Sequence, residues 1–222
     1  MASRAQRADL QTGSVTAAYD RWAPVYDMVF GKVFTEGRSD AIRAAEAALP
    51  KGGRVLEVGV GTGISLPQYQ RSTRLVAVDL SDAMLDKARA RKARLGLDNV
   101  EDIQVMDAEA MRFEDNSFEV VMAQYIITSC PHPEAALDEF VRVAKPGGEI
   151  IITTRIGANL GLRGRIEKFL MPLTTKLGFR TEFPYTRYDN WAKINGRVEL
   201  VENTALPPLG HFSMLRYRKL AE

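Results

Sequence analysis

The chain reads as an α/β protein with a doubly wound, mostly parallel sheet and an antiparallel last strand. Three observations predict this. Short apolar segments alternate with helical ones from Arg54 to Thr154, an order that builds parallel strands with right-handed crossovers. The first strand runs into Gly59-Val60-Gly61-Thr62-Gly63, and glycines there let the backbone approach a ligand closely. The last segments, Arg197 to Leu206 and His211 to Leu220, are joined by Pro207-Pro208-Leu209-Gly210, a turn between antiparallel strands.

The first strand starts at Arg54-Val55 and continues through Leu56-Glu57-Val58. Ile64-Ser65-Leu66 then reads as a helix opening, whose N-terminal N–H groups are free to bind a ligand. The glycine spacing is E-x-G-x-G-x-G, with Ile64 where a dinucleotide fingerprint would place its last glycine. Glu57, two residues before the first glycine, would repel a pyrophosphate but suits a cationic cofactor with an amino-acid tail. The second strand, Leu75 to Val78, ends at Asp79, where a carboxylate can accept from ribose hydroxyls. Ser81-Asp82 opens a helix to Arg94, and Met84 on it serves either the ribose and adenine or the core. A third strand from Ile103 ends at Asp107-Ala108. The fourth, Phe118 to Tyr125, leads through Ile126–Cys130 to a Pro131-His132-Pro133 break. A helix from Pro133 to Val143, a Lys145-Pro146-Gly147-Gly148 turn and a strand from Glu149 to Thr154 complete the series.

With 222 residues, 45% of them hydrophobic, the chain can bury one substantial core. A single cysteine, Cys130, fits a reducing compartment. The two histidines, His132 and His211, make no metal pattern with it. No signal-peptide stretch and no run of about 18 apolar residues is seen. A net charge of +2 does not favour nucleic acid as a partner.

The flanks carry two further signals. Val15, Ala18, Tyr19, Trp22, Tyr26, Val29, Phe30 and Val33 follow a helical period interrupted at Pro24. Between Arg155 and Arg197, nine basic residues face three acidic ones, a net +6, and apolar Leu162, Ile166, Phe169, Leu170, Leu173 and Leu177 recur at helical spacing around Pro172. That segment is either a helix packing on the sheet or a basic amphipathic surface resting on anionic lipid.

The Glu57–Gly63 run, with Asp79 and Asp107 at the following strand ends, resembles the class I S-adenosylmethionine (SAM) methyltransferases over residues 52 to 155. The Tyr19-Asp20-Arg21-Trp22-Ala23-Pro24-Val25-Tyr26-Asp27 segment, the Met122-Ala123-Gln124-Tyr125 turn, Lys145–Gly148 and the Leu209–Ser213 ending narrow this. Together they look like the soluble bacterial phosphatidylethanolamine N-methyltransferases. The resemblance implies a Rossmann-like core with an N-terminal helical lid. Residues 1–50 would form the lid and membrane-facing helices. Residues 51–222 would form the SAM-dependent domain, with 156–196 as an acceptor and membrane insertion, one structural domain overall.

The resemblance also implies site residues. SAM would sit at Glu57, Gly59, Gly61, Gly63, Asp79, Met84, Asp107 and Ala108. Tyr19, Tyr26 and Tyr125 would line the amine pocket, and Arg187 and His211 would hold the phospholipid phosphate. The protein would be cytoplasmic and peripheral on the inner membrane face, attracted to anionic lipid. A quinone or small-amine methyltransferase and a non-enzymatic SAM-binding regulator share the core motifs and remain alternatives.

Overall fold

The computed structural model describes residues 35–156, 183–207 and 212–221. The N-terminal amphipathic segment, the 162–178 segment, Tyr19, Tyr26 and His211 lie outside the described residues. In chain order the elements are α1 (Thr35–Ala48), β1 (Arg54–Val58), β2 (Arg74–Asp79), α2 (Asp82–Leu95), β3 (Val100–Val105), β4 (Phe118–Gln124), α3 (Pro133–Val143), β5 (Ala144–Thr154), α4 (Tyr185–Asn195), β6 (Val198–Leu206) and β7 (Phe212–Lys219).

The seven strands form one sheet in the order β3-β2-β1-β4-β5-β7-β6. β1 to β5 pair in parallel, and β7 runs antiparallel to both β5 and β6. The strand order reverses between β1 and β4, where an open α/β sheet leaves a crevice beyond its strand ends.

Side-chain alternation divides the core between the two faces. Leu56, Val58, Val76, Val78, Val121 and Ile152 face α3 and α4, packing against Leu137, Phe140, Tyr188 and Trp191. Val55, Leu75, Ala77, Val120, Met122 and Ile151 face the other way, onto Ala41, Ile42 and Ala45 of α1 and Leu85 and Ala88 of α2. Burying Ile42, 2% exposed, contributes roughly 1.5–3 kcal/mol. The segment 35–48 thus packs into the same core as the strands. The parity also fixes Glu57: it follows Val55 onto the α1 face.

Capping explains the ends of α2. Ser81 Oγ accepts from Met84 N at its start, and Gly96 closes its end at φ 55°, the left-handed conformation glycine adopts without steric cost.

The structure departs from the sequence reading in two places. The helix expected after the glycines is a single 3₁₀ turn, Leu66–Gln68. The chain spends the rest of its short path to β2 on the glycine loop and a bend before Arg74. β5 begins at Ala144, ahead of Glu149. The pairing with β4 shifts register between Phe118 and Val120, so Pro146-Gly147-Gly148 sits inside the strand as an irregularity with Gly147 at φ 75°. Beyond these, the helix α4 lies within the 156–196 stretch. Tyr188 and Trp191, one turn apart, are buried, and the Trp191 indole N–H donates to Asp138 Oδ1 at 2.8 Å. Pro184 before α4 and Gly196 after it at φ 66° are start and stop signals.

Candidate functional site

The ends of β1 to β4 open into one pocket of about 810 Å³ including its mouth, within the range of small-molecule sites. Gly59, Gly61, Asp79, Met84, Asp107, Ala108 and Tyr125 all line it. The glycine loop is tied to β2 by backbone bonds: Gly59 N and Val60 N both donate to Val78 O, at 2.8 and 3.1 Å. Asp79 accepts from Gly61 N at 2.8 Å through one oxygen and from Ser81 N at 3.0 Å through the other. This carboxylate therefore fixes the loop as well as facing the pocket. Asp107 takes the same posture one strand over, accepting from Glu109 N at 2.9 Å. Met84 is buried, 1% exposed, and still lines the pocket, so core packing and a pocket position are compatible.

Glu57 does not reach the pocket wall. It is 2% exposed beneath the glycine loop and accepts from Gln124 Nε2 at 3.2 Å. Gln124 does line the pocket, so it links the buried carboxylate to the cavity. Burial raises the Glu57 carboxyl above its ordinary range, while Ser65, Tyr69, Arg38 and Gln124 pull it back down. Glu57 Oε2, Ser65 Oγ, Tyr69 Oη and Gln124 Oε1 are buried without a hydrogen-bond partner among the described residues. Burial and the Glu57 charge push the Tyr69 phenol well up, which keeps it protonated. Gln124, Tyr69 and Arg38 were not among the site residues read from the sequence. The one available signal was Gln124, a polar residue inside an apolar strand; the other two arrive from distant segments.

Gly63 also lies behind the pocket, pressed against Leu66 and Ala88. Tyr125 follows β4 with φ 60°, a backbone state that a non-glycine residue adopts at a cost of order 1–3 kcal/mol and that clusters at functional sites. Its N–H donates to Thr153 O at 2.8 Å, and its ring meets Phe212 edge-on at 5.3 Å.

Arg187 is not brought to this pocket. Its guanidinium forks onto Glu134, with Nε to Oε1 at 2.8 Å and Nη2 to Oε2 at 2.6 Å, and lies over the Phe183 ring at 4.2 Å. That carboxylate already engages the face expected to hold an acceptor anion.

The comparisons with known proteins bear on this geometry. Residues 56–152 match a methyltransferase domain model. Across 210 residues the chain is 36% identical to a phosphatidylethanolamine N-methyltransferase of Cereibacter sphaeroides, covering 95% of this chain and 100% of that one. The chain belongs to that family of SAM-dependent methyltransferases. This methyltransferase is also 36% identical to a demethylmenaquinone methyltransferase of Clavibacter sepedonicus, over 66% of this chain and 60% of that one. A phosphoethanolamine N-methyltransferase 2 of Haemonchus contortus, solved with S-adenosyl-L-methionine, shares the fold with a TM-score of 0.68 at 19% identity, over 91% of this chain and 57% of that one.

The methyltransferase takes SAM as its cofactor, and the pocket fits it. Carboxylates at the ends of β2 and β3 suit hydroxyl and amine donors of an adenosine. A Cβ on Gly61 would meet nothing within 4 Å, which leaves open space beside the loop. The buried acceptors without partners, Glu57 Oε2 and Gln124 Oε1, suit a cationic group. When bound, SAM supplies an activated methyl on a sulfonium. The protein's own residues bind, orient and desolvate it.

Proposed function

We propose that this methyltransferase N-methylates phosphatidylethanolamine stepwise toward phosphatidylcholine at an anionic membrane surface. The observation that carries this reading is the end-to-end match to the phosphatidylethanolamine N-methyltransferase, which includes the flanks outside the common core. The quinone relative matches 66% of the chain, which makes quinone methylation the second reading.

The reaction is an in-line displacement. SAM held in this pocket would give its methyl to the neutral amine's lone pair, the electron pair of the methyl–sulfur bond leaving with sulfur as S-adenosylhomocysteine. The resulting ammonium loses its proton to water before the next transfer. Holding amine and methyl in line accounts for most of the acceleration, so no strong base is required. Tyr125, at the carboxyl end of β4, contributes an aromatic wall for the increasingly methylated cation. In this reading Tyr19 and Tyr26 join it. His211 takes the lipid phosphate, and Arg187, held by Glu134, supports α4 against α3 instead.

No helix among the described residues is long and apolar enough to cross a membrane. Attachment in this reading comes from basic residues near anionic lipid, at about 1 kcal/mol each.

The test is radiolabelled SAM with vesicles of phosphatidylethanolamine and anionic lipid, alongside vesicles carrying a demethylated quinone. Label is expected in mono-, di- and trimethylated phosphatidylethanolamine, at a rate that falls as salt rises. Label in the quinone alone selects the second reading. SAM binding with no labelled product makes the protein a SAM-binding regulator.

Tyr125→Ala is expected to lower turnover by roughly 2- to 30-fold, the equivalent of a cation–π contact of about 0.5–2 kcal/mol, with SAM affinity changed little. Single-turnover rates and calorimetry separate the two. An unchanged rate removes Tyr125 from the acceptor pocket.

A further inference from the structure

Tyr125 stands in a strained backbone state, and the residues that hold it there come from elements far apart in the chain. Among the described non-glycine residues only Asn116 shares its positive φ. Asparagine tolerates that conformation and a bulky aromatic does not. Such a state persists only where the surroundings over-determine it. The Tyr125 N–H is tied to Thr153 O of β5 at 2.8 Å. Its ring stands edge-on to Phe212 of β7 at 5.3 Å. Phe212 in turn pairs with Leu206 at the end of the β6–β7 ladder.

The hydroxyl end reaches α1. A Cβ on Gly37 would lie 2.9 Å from Tyr125 Oη and 3.4 Å from Leu206 Cδ1. Gly37 is buried in the first turn of α1 and is not among the glycines with positive φ, so its backbone makes no demand that alanine fails to meet. Alanine is also the better helix former. The reason for glycine is therefore steric, and the atom that needs the space is the phenol oxygen of a pocket residue. A flexible side chain would swing aside from an added methyl. The Tyr125 ring is fixed at one end by Thr153 and on its flank by Phe212, so a methyl there displaces the ring as a whole.

We propose that Gly37 is a positioning residue for methyl transfer: its missing side chain, together with Phe212, sets where the Tyr125 ring stands in the pocket. The proposal rests on the reading of Tyr125 as a wall of the amine site. It makes α1 act on the acceptor step through Tyr125, with no effect on the cofactor.

The test compares Gly37→Ala, Tyr125→Phe and the double variant with the parent protein. Single-turnover methyl transfer is measured on whichever vesicle the parent labels, phosphatidylethanolamine or quinone. Calorimetry gives S-adenosylhomocysteine affinity. The NMR resonances of the Phe212 ring report where the Tyr125 ring stands. Gly37→Ala is expected to shift those resonances and to slow transfer by about 2- to 30-fold, the range for a misplaced cation–π partner. Affinity for S-adenosylhomocysteine should stay within about twofold, as for a site outside the cofactor's contacts. Tyr125→Phe removes the atom that the new Cβ meets, and Leu206 at 3.4 Å is then an ordinary neighbour. Adding Gly37→Ala in that background should change the rate by less than about twofold, a non-additivity that marks direct contact.

Phe212→Leu loosens the other side of the ring. It is expected to give the same split between rate and affinity, and it carries the test if Gly37→Ala does not fold. Equal rate losses with and without the Tyr125 hydroxyl overturn the proposal, because Gly37 then acts apart from Tyr125. A loss of S-adenosylhomocysteine affinity as large as the rate loss overturns it too, as do unshifted Phe212 resonances at the parent's rate. A displaced ring with unchanged transfer strikes the reading of Tyr125 as an amine wall, and the proposal with it. A parent protein that labels neither vesicle overturns both.

Discussion

Glu57→Gln is expected to bind SAM about 10- to 100-fold more weakly than the unsubstituted protein, the range for losing a charged hydrogen-bonding partner. The same change should alter how stability depends on pH. Burial raises the folded-state carboxyl above its ordinary value of 4.5, so the folded protein holds that proton more tightly than the unfolded chain. Stability from this group is fully present below the unfolded value and is lost as pH rises through the raised folded value. Glutamine has no such proton. Thermal unfolding of the ligand-free proteins from pH 4 upward should show a declining contribution in the parent that is missing in Glu57→Gln. Binding supplies positive charge and favours the ionised carboxylate, so SAM binding should release protons in that window. Calorimetry in buffers of different ionisation enthalpy measures this release. A variant that binds SAM as tightly as the parent would remove Glu57 from the cofactor site.

Gly63→Ala is expected to destabilise the fold itself. Gly63 sits at φ 71°, and a Cβ there would lie 2.7 Å from Leu66 Cδ1, 2.9 Å from Ala88 Cβ and 3.0 Å from Ala88 Cα. The leucine tip can move, but the Ala88 backbone belongs to the middle of α2 and cannot without shifting the helix. Left-handed backbone for a non-glycine residue costs roughly 1–2 kcal/mol, and overpacking adds about 1–3 kcal/mol. For a chain of this size the sum lowers Tm by on the order of 5–15 °C. Saturating S-adenosylhomocysteine should recover part of that loss through mass action. Gly61→Ala is a control for strain alone, since a Cβ there meets nothing within 4 Å. A Gly63→Ala protein that melts with the parent would show that α2 yields more easily than its packing implies.

Much of the core was legible because its signals are local. Apolar runs end at Glu57-Val58, Asp79 and Gln124-Tyr125, and a strand end is where a parallel sheet presents residues to a ligand. A proline break marked the start of α3. The glycine spacing and a carboxylate at the end of β1 separated a cationic nucleoside from a dinucleotide before any contact was known.

Other features depend on which segments meet, and no local pattern encodes that. Arg38 carried no signal in the sequence, and only the packing of α1 on the sheet lets its charge bear on the buried Glu57. Tyr69 carried no signal either, and only the fold buries it, just after the 3₁₀ turn, where the Glu57 charge acts on it. Arg187, on a basic stretch that invited an anion, is claimed by Glu134 of α3, more than fifty residues earlier in the chain. Periodicity and spacing were enough to determine a parallel sheet, its glycine turn and the carboxylates at its strand ends, since backbone geometry and burial act on neighbours in sequence. The partner of each charge, and so the line between a binding residue and a structural one, was decided by tertiary packing. An ion pair depends on distance in space, and only the folded chain sets that distance.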